Sequence, residues 1–312
     1  MTIVVAGGSG FLGAALVSQL LLDGHTVVVL GRGASRMDPE SGHPPAGDRS
    51  PARLAWLPDG TIGSWASAVD GADAVINLAG ESIGGHRWTA AQKARVLDSR
   101  LGATRSLVAA VLAAARPPRL FVSASAVGYY GSRGDDLLTE ESAPGTDFLA
   151  GVCAAWEREA IQAAAVVRRV VVLRSGLVLA ADGGALAQML TPFKLYAGGP
   201  LGSGRQFVAW IHREDWLRLV RWVLATDGVS GPVNATAPNP VTNAAFARAL
   251  GRVLHRPSGI PAPAVALRLA LGEMADALLL SSQRVLPAKA TALGFTFRFP
   301  DLDEALGEIL VK

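Results

Sequence analysis

The first thirty-six residues leave this chain few folds to choose from. Thr2–Ala6 is a short β-branched apolar run, the pattern of a buried strand. Gly7-Gly8-Ser9-Gly10-Phe11-Leu12-Gly13 follows at once. Ala14–Leu22 then repeats apolar residues at helical spacing and stops at Asp23-Gly24. His25–Leu30 is a second strand, closed by Gly31-Arg32. Strand, glycine turn, helix and strand make the opening βαβ unit of a dinucleotide-binding sheet. Each glycine has its own expected task. Gly7 turns the chain sharply off the strand, Gly10 lets backbone approach a pyrophosphate, and Gly13 lets the helix pack close to the strand. The N–H groups at the helix start then face the phosphates.

The end of the second strand selects the cofactor. An acidic residue there would hold the ribose 2′-OH of NAD. Here Gly31-Arg32 closes the strand, Arg36 lies just beyond, and no acidic residue stands between the strand and Asp38. A guanidinium suits a 2′-phosphate, so NADP(H) is the expected cofactor. The competing reading is a solvated surface arginine.

Composition excludes several classes. The net charge is only +3 and the basic residues are scattered, so no nucleic-acid stripe is expected. A single cysteine forbids an internal disulfide and suggests a reducing compartment. The first apolar run has no basic segment before it, which reads as a strand and not a signal peptide. No apolar stretch approaches the ~20 residues of a membrane span. The expected location is cytoplasmic. No Cys/His or carboxylate cluster has ligand spacing, so no metal site is expected.

Beyond the first unit, strands are expected at Arg53–Leu57, Asp73–Leu78, Arg119–Ser123, Arg169–Arg174 and Pro232–Ala235. Helices are expected at Ser64–Val69, Thr89–Ala115 (capped by Thr89), Asp147–Ala165, Ala185–Leu195, Trp216–Ala225 (capped by Asp215) and Asn243–Leu254. Pro261–Leu280 reads as mainly helical, and Ser281–Pro300 as a compact terminal unit. Alternating strands and helices predict an α/β fold, a Rossmann-type doubly wound parallel sheet with a smaller C-terminal substrate domain. The expected boundaries are 1–179 for the nucleotide-binding domain, joined by 207–236, and 180–206 with 237–312 for the smaller one.

Motifs along the whole chain carry a resemblance. They include GGSGFLG (Gly7–Gly13), INLAGESI (Ile76–Ile83), Arg87-Trp88, SRLGATRSL (Ser99–Leu107) and RSGLVL (Arg174–Leu179). GGPLGSGRQFVAWIH (Gly198–His212), NATAPNPVTNAAFA (Asn234–Ala247) and SSQRVLPAKATALGFTFRFP (Ser281–Pro300) are the most specific, because they lie outside the generic fold signature. The chain resembles the extended short-chain dehydrogenase/reductases, most closely an atypical nucleoside-diphosphate-sugar epimerase subgroup also labelled cell-division inhibitors. The resemblance implies cofactor contacts from Gly7, Gly8, Ser9, Gly10, Phe11, Leu12 and Gly13, then from Gly31 and Arg32. It adds the turn Asn77, Leu78, Ala79 and Gly80, together with Arg100 on the long helix, Ser123, and Val178 at the nicotinamide end. It also implies that any homodimer pairs through Thr89–Ala115 and Asp147–Ala165; monomer and homodimer both stay open.

The superfamily works through a serine and a Tyr-x-x-x-Lys pair on one helical face. Ser125 stands at the serine position. The Tyr-x-x-x-Lys is missing: four residues beyond Tyr129, Tyr130 and Tyr196 stand Arg133, Gly134 and Pro200. Cys153 and Glu157 occupy an i, i+4 position on the helix that should carry the pair, and Ser99-Arg100 stands where a structural asparagine is expected. The catalytic candidates are therefore Ser125, Tyr129, Tyr130 and Glu157. Cys153 on an apolar face reads as plain core. Glu157 is either a buried acid or a solvated helix residue.

In the last third, Gly198–Gln206 is a glycine-rich loop whose Arg205 suits an anionic substrate or merely links domains. His212 reads as structural. Two functions remain. One is an NADP(H)-dependent epimerase or oxidoreductase on a nucleotide-sugar-like or other small polar substrate. The other is a catalytically silent NADP(H)-binding redox sensor.

Overall fold

The structure is a computed structural model that describes residues 1–32 and 50–311. The nucleotide-binding half runs β1 (Thr2–Ala6), α1 (Phe11–Leu22), β2 (Thr26–Gly31), β3 (Ala52–Ala55), β4 (Ala74–Asn77), α2 (Ala90–Ala113), β5 (Leu120–Ala126), β6 (Leu137–Leu138), α3 (Phe148–Ile161) and β7 (Arg169–Ser175). The chain continues through β8 (Leu177–Leu179), α4 (Gly184–Lys194), β9 (Phe207–Val208), β10 (Trp210–His212), α5 (Arg213–Ala225), β11 (Gly231–Ala235) and β12 (Val241–Thr242). It closes with α6 (Asn243–Leu254), α7 (Ala264–Leu271), α8 (Glu273–Leu278), β13 (Arg284–Val285), α9 (Ala288–Ala292) and α10 (Leu302–Leu310).

Seven parallel strands form the main sheet in the order β11-β7-β5-β4-β1-β2-β3. Winding runs outward from β1 through β2 to β3, then reverses through β4 and β5. The crevice at the carboxyl ends of β1 and β4 is thus the switch point of the sheet, where such folds bind ligands. The strands are apolar on both faces because helices cover both. Ile3, Val5 and Ile76 face one core with Leu16 and Leu20 of α1 and Trp216 and Leu219 of α5. Val4, Val28, Val75 and Phe121 face the opposite core with Leu107 and Val111 of α2. A third core gathers Leu186, Phe193, Phe246, Leu250 and Leu306 from α4, α6 and α10. Ala290 and Phe295, near the chain end, belong to the first core and not to the third.

Several boundaries differ from the expected ones. Helix α1 starts at Phe11, three residues before Ala14, with Gly10 as its N-cap. Strand β5 runs on to Ala126, so Ser125 is a strand residue. Thr89 caps α2 as expected, its Oγ1 accepting the Gln92 N–H at 3.1 Å. Asp215 does not cap α5. The helix begins at Arg213 and His212 caps it, Nδ1 accepting the Glu214 N–H at 3.1 Å. Asp215 is buried instead and accepts the Arg298 and Phe299 N–H groups, each at 2.8 Å. The stretch expected to be mainly helical over Pro261–Leu280 breaks at Gly272, φ +64°, into α7 and α8.

Candidate functional site: a dinucleotide crevice beside a buried Ser–Glu–Arg cluster

The glycine turn and the turn after β4 touch. Gly7 has φ +78°, and a Cβ there would lie 2.8 Å from the Leu78 carbonyl and 2.9 Å from the Ala79 nitrogen. A Cβ on Gly13 would lie 2.1 Å from the Gly7 oxygen, which is why α1 can start so close to β1. Gly8 is likewise held against Val29. Gly10 is different: its Cβ would meet nothing nearer than the Gly7 oxygen at 3.4 Å. Packing therefore does not demand a glycine at 10, and Ser9 and Gly10 stay exposed at the crevice. No side chain caps α1 and no acidic residue sits in its first turn. Its first N–H groups and partial positive charge are free for an anion. Phe11 lies against the Gly183-Gly184 turn, where added Cβ atoms would come within 2.7 and 3.0 Å of its ring. Leu12 is half-buried against the first core.

At the end of β2, Gly31 is half-buried and Arg32 is exposed. Arg32 makes no hydrogen bond or ion pair among the described residues. Arg36 lies outside them. Across the crevice, Asn77 is wholly buried, and both ends of its amide are used inside the protein. Its Nδ2 donates to Thr104 Oγ1 at 2.9 Å and its Oδ1 accepts the Ala79 N–H at 3.2 Å. Asn77 therefore shapes the Leu78-Ala79 turn, with both ends of its amide bonded to protein groups. Ser123 is also buried, its hydroxyl turned to the Ala124 carbonyl at 3.2 Å. Arg100 lies beside Gly80, donating from one nitrogen to the Glu81 carbonyl at 3.0 Å and the Val96 carbonyl at 2.9 Å. Its guanidinium carbon is 5.2 Å from the Trp156 ring centroid. Burial lowers its pKa from the ordinary arginine value. Ser99 Oγ accepts the Glu81 N–H at 3.0 Å, so Ser99-Arg100 staples the Gly80-Glu81 backbone to α2. Val178 is buried near the Gly184 turn.

The catalytic candidates converge on one buried cluster. Ser125 and Arg174 are register partners on the adjacent strands β5 and β7. Glu157 reaches both from α3. Ser125 Oγ donates to Glu157 Oε1 at 2.7 Å. Arg174 pairs with the same carboxylate through Nε at 2.9 Å and Nη2 at 2.8 Å. Its Nη1 donates to the Tyr130 hydroxyl at 3.0 Å and the Glu140 carbonyl at 3.2 Å. Its guanidinium carbon lies 3.5 Å from the centroid of the Tyr129 ring. Burial works against the Arg174 charge, but the Glu157 hydrogen bonds and carboxylate outweigh it and raise the pKa above the ordinary value.

The two tyrosines part company here. Tyr130 is fully buried and its hydroxyl donates to Asn234 Oδ1 at 2.6 Å. Burial pushes its pKa up to about 12. The Tyr130 phenol is thus buried and committed to Asn234 and Arg174. Tyr129 stays half-buried, stacked on Arg174. Glu157 is buried and paired, not a solvated helix residue. Burial and the neighbouring Glu157 push the Cys153 thiol up to about 11, consistent with plain core.

The C-terminal unit meets the nucleotide-binding half near the start of α2. Lys93 of α2 pairs with Glu273 of α8 at 2.8 Å and lies 4.5 Å from the Phe148 ring centroid. The Gly198–Gln206 loop is pinned at both ends: Asn243 Oδ1 accepts the Leu201 N–H at 2.7 Å, and Gln206 Nε2 donates to the Leu201 and Leu279 carbonyls, each at 3.0 Å. Arg205 is exposed. His212 is structural as expected; besides capping α5 it meets Glu308 at 3.1 Å. Among the described residues no cluster of three His, Cys, Asp or Glu is placed to hold a metal ion. No described helix is long and apolar enough to cross a membrane.

The model of the NAD dependent epimerase/dehydratase family matches residues 3–235. The chain belongs to that family. A domain of unknown function, DUF1731, matches residues 262–309. Among relatives of this epimerase/dehydratase, epimerase family protein YfhF of Bacillus subtilis is 39% identical over 311 residues, 99% of this chain and 98% of that protein. A chloroplastic SDR39U1 homolog of Arabidopsis thaliana is 40% identical over 99% of this chain and 87% of its own. The crystal structure of human SDR39U1 with NADPH superposes with a TM-score of 0.87 at 34% identity, covering both chains fully.

Sequence reasoning missed three members of this epimerase-family site: Arg174, Glu140 and Asn234. A signal was present for Arg174. It follows the apolar run Val170–Leu173 within β7, and a charge near the end of a strand buried on both faces needs a partner. Glu140 accepts the Asn234 N–H at 3.0 Å and the Lys289 N–H at 3.2 Å. Only tertiary structure brings those three together.

Proposed function

We propose that this chain binds NADP(H) in the crevice between the Gly7–Gly13 and Leu78-Gly80 turns and acts there as an epimerase or oxidoreductase on a nucleotide-sugar-like or other small polar substrate. The observation that carries the reading is the uncapped start of α1, facing a crevice with Arg32 at its edge, unpaired among the described residues. The first-turn N–H groups of α1 would hold the pyrophosphate, and Arg32 the 2′-phosphate. The human relative solved with NADPH supports the cofactor. When bound, the nicotinamide supplies a hydride donor or acceptor.

The chain's own residues then handle the proton. Ser125 donates its hydroxyl hydrogen to Glu157, so its oxygen has lone pairs to receive a substrate hydroxyl. Glu157 and Arg174 act as positioning residues that fix this polarity. Tyr129, partly accessible and stacked on Arg174, is the proposed acid/base phenol. Asn77, Ser123 and Tyr130 support the site from behind. The nucleotide-binding unit is the part built on the main sheet, and α4, α6 and α10 with their own core form the smaller, substrate-facing unit.

A second reading, a silent redox sensor, draws on the missing Tyr-x-x-x-Lys and on Glu157 being committed to Arg174. The test is to follow nicotinamide absorbance and sugar epimerisation over a panel of nucleotide sugars and small carbonyl compounds, with Ser125→Ala and Tyr129→Phe as controls. Turnover lost in both variants, with NADPH binding retained, supports the enzyme. Tight NADPH binding with no turnover across the panel favours the sensor.

A further inference from the structure

We propose a second ligand site on the smaller unit, a cleft at the carboxyl end of α6 that takes a multiply charged oxyanion of the phosphate class. The cleft is a shallow depression of about 560 Å³, open to solvent. Arg248, Arg252, His255 and Arg256 line it, and no lining residue is acidic. Arg248 and Arg252 stand one helical turn apart, so α6 presents both to the same side. The helix then ends on His255 in the left-handed region at φ 53°, which brings Arg256 round to the cleft.

The charges are largely uncompensated. Asp303 engages Arg252 through Nε and Nη2, at 2.6 to 3.2 Å. The Arg248 side chain is exposed and makes no hydrogen bond or ion pair among the described residues. Among the described residues the Arg256 guanidinium donates only to the His255 carbonyl, at 3.1 Å, and its carbon lies 4.6 Å from the Tyr196 ring centroid. The cleft is also built with care. A Cβ on Gly251 would lie 2.6 Å from Ser258 and 2.8 Å from the Arg256 carbonyl, so a glycine there lets the wall pack against the helix. Tyr196 and His255 are the two non-glycine residues with positive φ among the described residues, and both belong to this one corner. Strained backbone of this kind gathers at ligand clamps. Two guanidinium groups with no carboxylate partner among the described residues, and an imidazole beside them, suit an oxyanion bearing two or more charges.

The test uses the full chain saturated with NADPH, so that the dinucleotide crevice is already filled. Pyrophosphate and orthophosphate are titrated by calorimetry into wild type and into Arg248→Ala/Arg256→Ala, with a thermal melt confirming that the variant folds. The expected result is pyrophosphate binding to wild type that weakens about ten-fold or more in the double variant, with NADPH affinity unchanged. Tighter binding of pyrophosphate than of orthophosphate identifies a diphosphate-bearing ligand; the reverse order identifies a single phosphate. Three outcomes overturn the proposal: no binding of either anion, binding unaffected by the double variant, or capture of a single-stranded oligonucleotide where neither small anion binds, which would make the corner a nucleic-acid surface.

Discussion

Replacing Arg174 with methionine removes the centre of the buried cluster and tests what that cluster contributes. The substitution deletes two hydrogen bonds to Glu157, one to Tyr130 and one to the Glu140 carbonyl. It leaves the Glu157 carboxylate buried, with Ser125 as its remaining side-chain hydrogen-bond donor. Removing one partner of a buried ion pair costs about 3–5 kcal/mol, because the other charge loses its compensation inside the protein. For a chain of this size, with about 2 °C of melting temperature per kcal/mol, the midpoint should fall by about 6–10 °C. Glu157→Gln should cost a similar amount, since it leaves the Arg174 guanidinium buried without its counter-ion. The Arg174→Met/Glu157→Gln double variant should be more stable than the sum of the two losses implies, because no uncompensated charge is left buried. Urea unfolding followed by tryptophan fluorescence gives each value, with an unchanged slope confirming comparable surface exposure. Arg174→Met within about 0.5 kcal/mol of wild type, or a strictly additive double variant, would refute the reasoning; surface substitutions behave that way and buried pairs do not.

The other predictions follow from single contacts. Gly13→Ala places a methyl 2.1 Å from the Gly7 oxygen, so it should lower the melting temperature and abolish NADPH binding together, as measured by thermal melts and titration. Tyr130→Phe should cost about 1–3 kcal/mol in urea unfolding by stranding Asn234 and Arg174, whereas Tyr129→Phe should spare stability and remove turnover; the opposite pattern would exchange their roles. His212 caps α5 through an unprotonated Nδ1, and burial lowers its pKa from the ordinary 6.5. A lowered folded-state value means that the unfolded chain binds the proton first. This part of the stability is therefore full above about pH 6.5 and lost as the pH falls through that value toward the folded one. Melting temperatures of wild type and His212→Asn, compared between neutral and mildly acidic pH, should converge as the pH drops; parallel curves would exclude His212 as the source.

The parts of the fold written in local pattern were legible. β1 and α6 fall at their expected residues because a β-branched run and an amphipathic repeat between clear stops are set by neighbours along the chain. The glycine turn was legible for the same reason, since the needs of Gly7 and Gly13 arise within that turn and the adjoining one. The N-cap of α5 was not. Asp215 is the commoner capping residue, but tertiary structure draws it to the Arg298 and Phe299 N–H groups and leaves the cap to His212. The roles of Asn77 and Tyr130 were hidden in the same way. Asn77 ends β4 and Tyr130 closes the turn after β5, where a ligand is expected, and both bond partners far along the chain: Thr104 for one, Asn234 and Arg174 for the other. Arg174 was overlooked because its partner sits on a helix seventeen residues earlier, at no spacing that a motif records.

The most direct test of the account is a calorimetric titration of wild type and Arg32→Ala with NADPH, NADP⁺ and NADH. The account predicts micromolar NADPH binding, weaker NADH binding, and a loss of at least about ten-fold in NADPH affinity in the variant, about 1.4 kcal/mol, with NADH unaffected. Equal affinities for NADPH and NADH, unchanged by Arg32→Ala, would contradict the 2′-phosphate assignment. No binding of any dinucleotide would contradict the crevice itself as a cofactor site.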